Sequence, residues 1–88
     1  MHLVTIYSYN MTKREKLLAK ALQNPNNLSF EEFETLLKQF GWLFKRQNGS
    51  HRVWLSPSNR ALPIQPDGSK AKGYQVKQAL VIMENENG

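Results

Sequence analysis

Residues 29–55 read SFEEFETLLKQFGWLFKRQNGSHRVWL, and the period of their apolar residues changes at Gly41. Before this glycine, a capping box at Ser29-Phe30-Glu31-Glu32 opens a run in which aromatic and leucine residues recur every three or four positions. After it, apolar and polar residues alternate on both sides of a polar turn at Gln47-Asn48-Gly49. The run therefore predicts an amphipathic helix over residues 29–40, followed by a β-hairpin.

A second helix is predicted on the N-terminal side of this segment. Thr12-Lys13-Arg14-Glu15 is again a capping box, and leucines and alanines follow it on one helical face. Asn24-Pro25 is expected to end this helix, because proline cannot continue the helical hydrogen bonding. Residues 1–10 carry no motif, and we assign no role to this arm.

The segment after the hairpin predicts one more strand and one more helix. Leu62 and Ile64 alternate in a short strand, and the neighbouring prolines place that strand at the edge of the sheet. Residues 67–73 are expected to form a polar loop. A closing helix is expected from Tyr74 to Met83, followed by an Asn-Glu-Asn-Gly tail that should fray.

These elements predict an α+β fold of the order helix-helix-strand-strand-strand-helix, in a single domain over residues 11–88. A three-stranded antiparallel sheet buries one face economically, so the helices should pack on that face. The opposite face would then be left for solvent or a ligand. A winged helix-turn-helix is not expected, because it would need its recognition helix before the hairpin and no helix after it.

Composition excludes several classes of chemistry. The chain has no cysteine, so disulfides, thiolate nucleophiles and thiolate metal sites are excluded. It has no apolar run near the roughly 20 residues that cross a bilayer, and we expect a cytoplasmic protein without a membrane partner. Twelve Lys and Arg residues against seven Asp and Glu residues give a net charge of +5, which favours contact with phosphates.

His51 is the candidate residue for chemistry. It follows Gly49-Ser50 at the turn into the second hairpin strand and lies next to Arg52. An imidazole titrates near neutral pH, so it can move a proton to or from a ribose or phosphate oxygen. From the residues alone a second interpretation stays open, in which His51 only begins a strand and packs at the rim of the sheet.

Several basic and aromatic residues are candidates for binding RNA. Lys45, Arg46 and Arg52 could hold phosphates, although a charged residue on a strand is often only solvated. Trp54 should share a strand face with Arg52, where its ring could stack on an unpaired base or pack in the core. Lys70 and Lys72 precede the last helix, in a loop that could bind phosphate or serve only solubility. The full set of RNA-binding candidates is Lys45, Arg46, Arg52, Trp54, Lys70 and Lys72.

No metal site or cofactor is expected. Asp67 is an isolated acid, and one carboxylate with one histidine is a poor ligand set for magnesium or zinc. Glu31, Glu32 and Glu34 fall in the first turns of a helix, where capping and the helix dipole account for them.

From Met11 onward the chain resembles the HicA family of toxins from bacterial toxin-antitoxin pairs. The resemblance rests on Met11-Thr12-Lys13-Arg14-Glu15-Lys16-Leu17-Leu18, on Phe40-Gly41-Trp42, and above all on Arg46-Gln47-Asn48-Gly49-Ser50-His51. It implies a fold similar to a double-stranded-RNA-binding domain and a metal-independent ribonuclease that acts on messenger RNA. It also implies that His51 is the catalytic histidine and that a HicB-type antitoxin is the protein partner.

The chain departs from the family pattern after the third strand. Many members have a proline and then a second histidine there, whereas this chain reads Ile64-Gln65-Pro66-Asp67, with Asp67 at the place of that histidine. A mechanism that needs two histidines is therefore not expected. The alternative hypotheses are a non-catalytic RNA-binding module with the same basic sheet surface, and a protein-interaction domain that neither binds nor cleaves RNA.

Overall fold

The computed structural model describes residues 11–87, so the arm predicted over residues 1–10 lies outside the described chain. Its fold is α+β, and its main elements follow the predicted order. They are α1 (Lys13–Gln23), a 3-10 turn (Pro25–Asn27), α2 (Phe30–Gln39), β1 (Leu43–Asn48), β2 (His51–Leu55), β3 (Ala61–Ile64), β4 (Pro66–Asp67), β5 (Lys70–Ala71) and α3 (Gly73–Asn87). None of these helices is long and apolar enough to span a bilayer.

Both predicted capping boxes are confirmed at the starts of α1 and α2. The Thr12 hydroxyl accepts from the backbone N–H of Glu15 at 3.1 Å, and the Glu15 carboxylate accepts from the N–H of Thr12 at 2.9 Å. Ser29 and Glu32 repeat this exchange at 3.0 and 2.9 Å. Each box satisfies backbone donors that a helix start otherwise leaves unpaired.

Gly41 ends α2, as its position predicts. It adopts φ +85°, and its N–H donates to the carbonyl of Lys38 at 3.1 Å, while the N–H of Trp42 reaches back to Leu37 at 3.0 Å. This pair of bonds is a Schellman motif, which suits glycine because of the positive φ. The motif leaves Trp42 buried, with 2% of its surface exposed, and leads the chain into β1.

Among residues 11–87, the main sheet has three antiparallel strands in the order β1-β2-β3. The predicted edge position of the proline-containing strand β3 is therefore confirmed. The pairing of β1 with β2 shifts after Phe44, which lies opposite Trp54, so that Arg46 lies opposite Val53. Lys45 is thus an extra residue in β1, and the strand contains a β-bulge there.

The helices cover one face of this sheet, as predicted. Trp54, Leu62 and Ile64 project from the sheet into a core that contains Phe33 and Val76. Strand residues alternate between faces. The register therefore assigns other strand side chains to the opposite surface, here called the open face, which consists of Leu43, Arg46, Asn48, His51, Val53, Leu55, Ala61 and Pro63. Val53, in the middle strand, is itself buried.

The segment predicted as a polar loop over residues 67–73 contains a second hairpin instead. Pro66–Asp67 pairs with Lys70–Ala71, and the N–H of Ala71 donates to the carbonyl of Leu28 at 3.1 Å. Ala71 is 5% exposed. The hairpin is therefore stabilised by the segment that leads into α2 and by burial of one small residue.

The prediction that the C-terminal tail frays is wrong up to Asn87, where α3 ends. The Glu86 carboxylate accepts hydrogen bonds from the hydroxyls of Ser56, at 2.6 Å, and Ser58. These bonds lower the pKa of Glu86, with the Ser56 bond as the main cause. The turn between β2 and β3 therefore holds the end of the helix.

Candidate functional site

His51 lies exposed at the first position of β2, where the hairpin turn ends. It is paired with Asn48 of β1, and Gly49 and Ser50 form the turn between them. Gly49 has φ +58°, whereas Ser50 is not among the residues with positive φ. A positive φ at only the first turn position is typical of a type II′ hairpin, which favours glycine there.

The surroundings of His51 are set by β1 on one side and by the end of β3 on the other. In the pairing of β2 with β3, Arg52 lies opposite Ile64. The pairing ends there, and Gln65, the first residue after β3, instead donates from its side chain to Ser50 at 2.9 Å. The histidine therefore lies opposite Asn48, and the residue before it contacts Gln65, at the end of the open face.

Arg46 shares the open face with His51 because of the bulge at Lys45. Without the extra residue, Arg46 would follow Phe44 on the helix-covered face. With it, Arg46 lies opposite Val53, which is two residues after His51. Such diagonal neighbours are about 7–8 Å apart, within reach of an arginine side chain. The register thus places Arg46 and His51 on the same face as diagonal neighbours.

The Arg52 side chain does not lie on the open face with Arg46 and His51, although Arg52 follows His51 directly in the sequence. Its guanidinium forms an ion pair with Glu34 of α2 and stacks over the Phe44 ring, 4.2 Å from the ring centre. A further bond from this guanidinium reaches Gln47 at 3.2 Å. The side chain holds α2 against the sheet, so Arg52 has a structural role, and its contact with phosphate stays a prediction.

Trp54 is a core residue, which corrects the expectation that its ring is free to stack on a base. Only 1% of its surface is exposed, and its indole N–H donates to the Glu34 carboxylate at 2.9 Å. Phe44 packs edge-on against the ring with centroids 5.7 Å apart. Trp54 does share a face with Arg52, as expected, but this is the face that α2 covers.

A polar network that the sequence did not reveal lies beside His51. The Gln65 amide nitrogen donates to the Ser50 hydroxyl at 2.9 Å, and its amide oxygen accepts from the Lys72 ammonium at 3.3 Å. The backbone N–H of Gln65 donates to the side-chain oxygen of Gln75 at 2.9 Å. Gln75 is only 5% exposed. Lys72, a predicted binding residue, is therefore linked to the His51 turn through Gln65.

The two remaining predicted lysines, Lys45 and Lys70, lie outside this hydrogen-bonded network. Lys45 is exposed at the bulge of the edge strand β1. Lys70 lies in β5 opposite Asp67, so a carboxylate stands across from this lysine. Gln65, rather than Asp67, is bonded to Ser50, the residue before His51.

The group formed by Arg46, Ser50, His51, Gln65 and Lys72 is here called the His51 site. It combines an exposed imidazole with two cations, and the described contacts bring no carboxylate into it. Within residues 11–87, no three His, Asp or Glu side chains are grouped so that they could share a metal ion.

Two of the acids instead form ion pairs elsewhere. Glu32 pairs with Lys20 at 2.8 Å, and Glu34 pairs with Arg52. The hydrogen bond from Lys20 is the main reason that the pKa of Glu32 lies below its ordinary value. These negative charges are therefore matched on the helical side of the molecule.

The fold and the site define a small α+β domain that presents a histidine and cations at one end of an open sheet face. A family model described as the HicA toxin of bacterial toxin-antitoxin matches residues 30–84, which is more than half of the chain. The chain belongs to the HicA toxin family. It is thus a toxin-family member, and this membership implies a cognate antitoxin. Searches among curated proteins and among solved structures find no match.

Proposed function

We propose that this toxin is a metal-independent endoribonuclease that cleaves messenger RNA, with His51 as its proton-transfer group. The supporting observation is the position of His51, which is exposed at the end of the open face and diagonal to Arg46. Proton transfer requires an accessible imidazole, and phosphate chemistry requires a cation close to it. The His51 site offers both.

In the proposed reaction, a ribose 2′-oxygen attacks the adjacent phosphorus. His51 either removes the 2′-hydroxyl proton or donates a proton to the departing 5′-oxygen. The bond from phosphorus to the 5′-oxygen breaks, which leaves a cyclic 2′,3′-phosphate on one fragment and a 5′-hydroxyl on the other. The reaction needs no oxidant, reductant or further reactant.

Arg46 and Lys72 are the proposed phosphate-binding residues of this site, with Lys45 and Lys70 as outer contacts. Cations bind the backbone of RNA without reading its bases, so the sequence preference should be loose. The proposed substrate places the activity in the cytoplasm. The partner is proposed to be a HicB-type antitoxin that covers the open face and complements its positive charge.

The direct test is cleavage of an end-labelled messenger RNA in EDTA by the wild-type protein and by His51→Ala. His51→Ala should cleave about 10² to 10⁴ times more slowly, because one proton-transfer group is lost. RNA binding should be unchanged, since the exposed imidazole is not a core residue. The fragments should carry cyclic phosphate ends.

His2→Ala is the matched control, because His2 is the other histidine of the chain. It should cleave like the wild type. Equal cleavage by His51→Ala would remove His51 from the mechanism. RNA binding without cleavage by the wild type would favour the non-catalytic module, and the absence of both would favour the protein-interaction domain.

A further inference from the structure

We infer that Gln65 is a positioning residue, which holds the Lys72 ammonium and the Ser50–His51 turn together as one phosphate-binding unit. The inference rests on the proposed function for its catalytic consequence. Its structural part, the coupling of the turn to Lys72, can be tested without any cleavage.

Both ends of the Gln65 amide are occupied by residues from different elements. The amide nitrogen donates to Ser50 in the β1–β2 turn at 2.9 Å, and the amide oxygen accepts from Lys72 before α3 at 3.3 Å. Only a side chain with a donor and an acceptor on one rigid group can make these two contacts together. Asparagine would be shorter, and an apolar residue would make neither contact.

The backbone of Gln65 is held as well. Its N–H donates to the side-chain oxygen of Gln75 at 2.9 Å, and Gln75 is 5% exposed in the first turn of α3. A buried amide can hold this bond with little competition from water. The end of β3 is therefore fixed to α3, and the Gln65 side chain starts from a fixed point.

The position of the Lys72 ammonium depends on its hydrogen bond to Gln65. A lysine side chain has several rotatable bonds and loses considerable entropy when it is held in one place. The bond to Gln65 orients the ammonium before any RNA arrives. A charge held in a fixed orientation stabilises the transition state more than it stabilises the bound RNA. Gln65 should therefore affect the chemical step more than RNA binding.

The test compares Gln65→Met, Lys72→Met and the double variant in single-turnover cleavage at saturating protein. Methionine keeps the approximate length of glutamine but makes neither amide bond. Gln65→Met should lower the rate constant about tenfold. The protein concentration at half-saturation should change by less than about twofold, which separates positioning from binding.

The double variant shows whether the two residues act together. If Gln65 acts through Lys72, the double variant should be no slower than the slower single variant. Independent residues would instead slow the double variant by the product of the two single effects, and that outcome would overturn the inference. Gln78→Met is the matched control, because Gln78 is an exposed glutamine on α3 and should leave the rate unchanged.

Backbone amide signals of Gly49, Ser50 and His51 provide a readout without RNA. They should shift in Gln65→Met and stay in place in Gln78→Met, and unchanged signals in both would overturn the coupling. Wild-type protein that fails to cleave RNA would instead overturn the proposed function. In that case the amide signals alone would decide whether Gln65 holds the turn.

Discussion

At the scale of single residues, Arg46 and Arg52 show what the sequence could and could not predict. Both were expected to contact phosphate, yet Arg52 pairs with Glu34 under α2 while Arg46 lies on the open face. The difference depends on the bulge at Lys45, which reverses the alternation of β1. A bulge without a marking glycine has no clear pattern in the sequence, so the faces could not be assigned in advance.

The network around Gln65 was missed for a similar reason. His51 and Lys72 could be proposed from their chemistry and from neighbouring residues. Gln65 is bonded to Ser50, fifteen positions earlier, and to Gln75, ten positions later. Such contacts depend on how β3 meets α3, and no local period or motif encodes them.

Trp54→Phe tests whether Trp54 serves the core or the RNA. The change removes the indole N–H that donates to Glu34 at 2.9 Å and leaves a smaller ring in the core. We expect the free energy of unfolding to fall by about 1–3 kcal/mol, measured in urea. The affinity for a single-stranded RNA should stay the same, because the ring has no exposed face.

Leu43→Ala provides the contrast, because Leu43 is 70% exposed and should cost little stability. A loss of RNA affinity in Trp54→Phe, with unchanged stability, would instead show that the ring stacks on a base.

At the scale of elements, the helices and the first hairpin were predictable because their signals are local. The capping boxes at Thr12 and Ser29 each span four residues. The glycine that ends α2, Gly41, lies directly after the C-cap of the helix. The hairpin of β4 and β5 has two residues per strand, too few for an alternating pattern. The end of α3 is held by a hydrogen bond between Glu86 and Ser56, which are thirty positions apart. The prediction of a frayed tail used only neighbouring residues, so it could not include this contact.

The contact between α1 and α2 has a predictable pH dependence through Glu32. The Lys20 ammonium lowers the pKa of Glu32 below its ordinary value of 4.5. A carboxyl group with a lower pKa in the folded protein stabilises it above the unfolded-state pKa. This contribution is lost as the pH falls through the folded-state pKa. The free energy of unfolding should therefore decrease below a pH of about 4.5.

Urea unfolding of the wild type and of Glu32→Gln, followed across this pH range, checks the expectation. Glutamine keeps the capping box. The wild type should be more stable by roughly 0.2–1 kcal/mol at neutral pH, and the two should converge in acid. Glu31→Gln is the control, since Glu31 forms no ion pair among residues 11–87. A difference that persists unchanged in acid would contradict the assigned cause.

At the scale of the whole molecule, the two faces of the sheet differ in how their charges are matched. Glu32 and Glu34 are paired with Lys20 and Arg52 on the helical side. Among the paired strand residues assigned to the open face, Arg46 carries a positive charge and none is acidic. A phosphate backbone would approach the open face for this reason.

The salt dependence of RNA binding should separate the two arginines. Each cation that contacts a phosphate releases counterions, so its loss should reduce the slope of log K against log salt by about 0.7 for single-stranded RNA. Arg46→Gln should show this reduction and leave the free energy of unfolding unchanged. Arg52→Gln should keep the wild-type slope and lower the free energy of unfolding by about 1–3 kcal/mol. The opposite result, with the slope changed only by Arg52→Gln, would mean that RNA binds across the helical side and that the open face is not the binding surface.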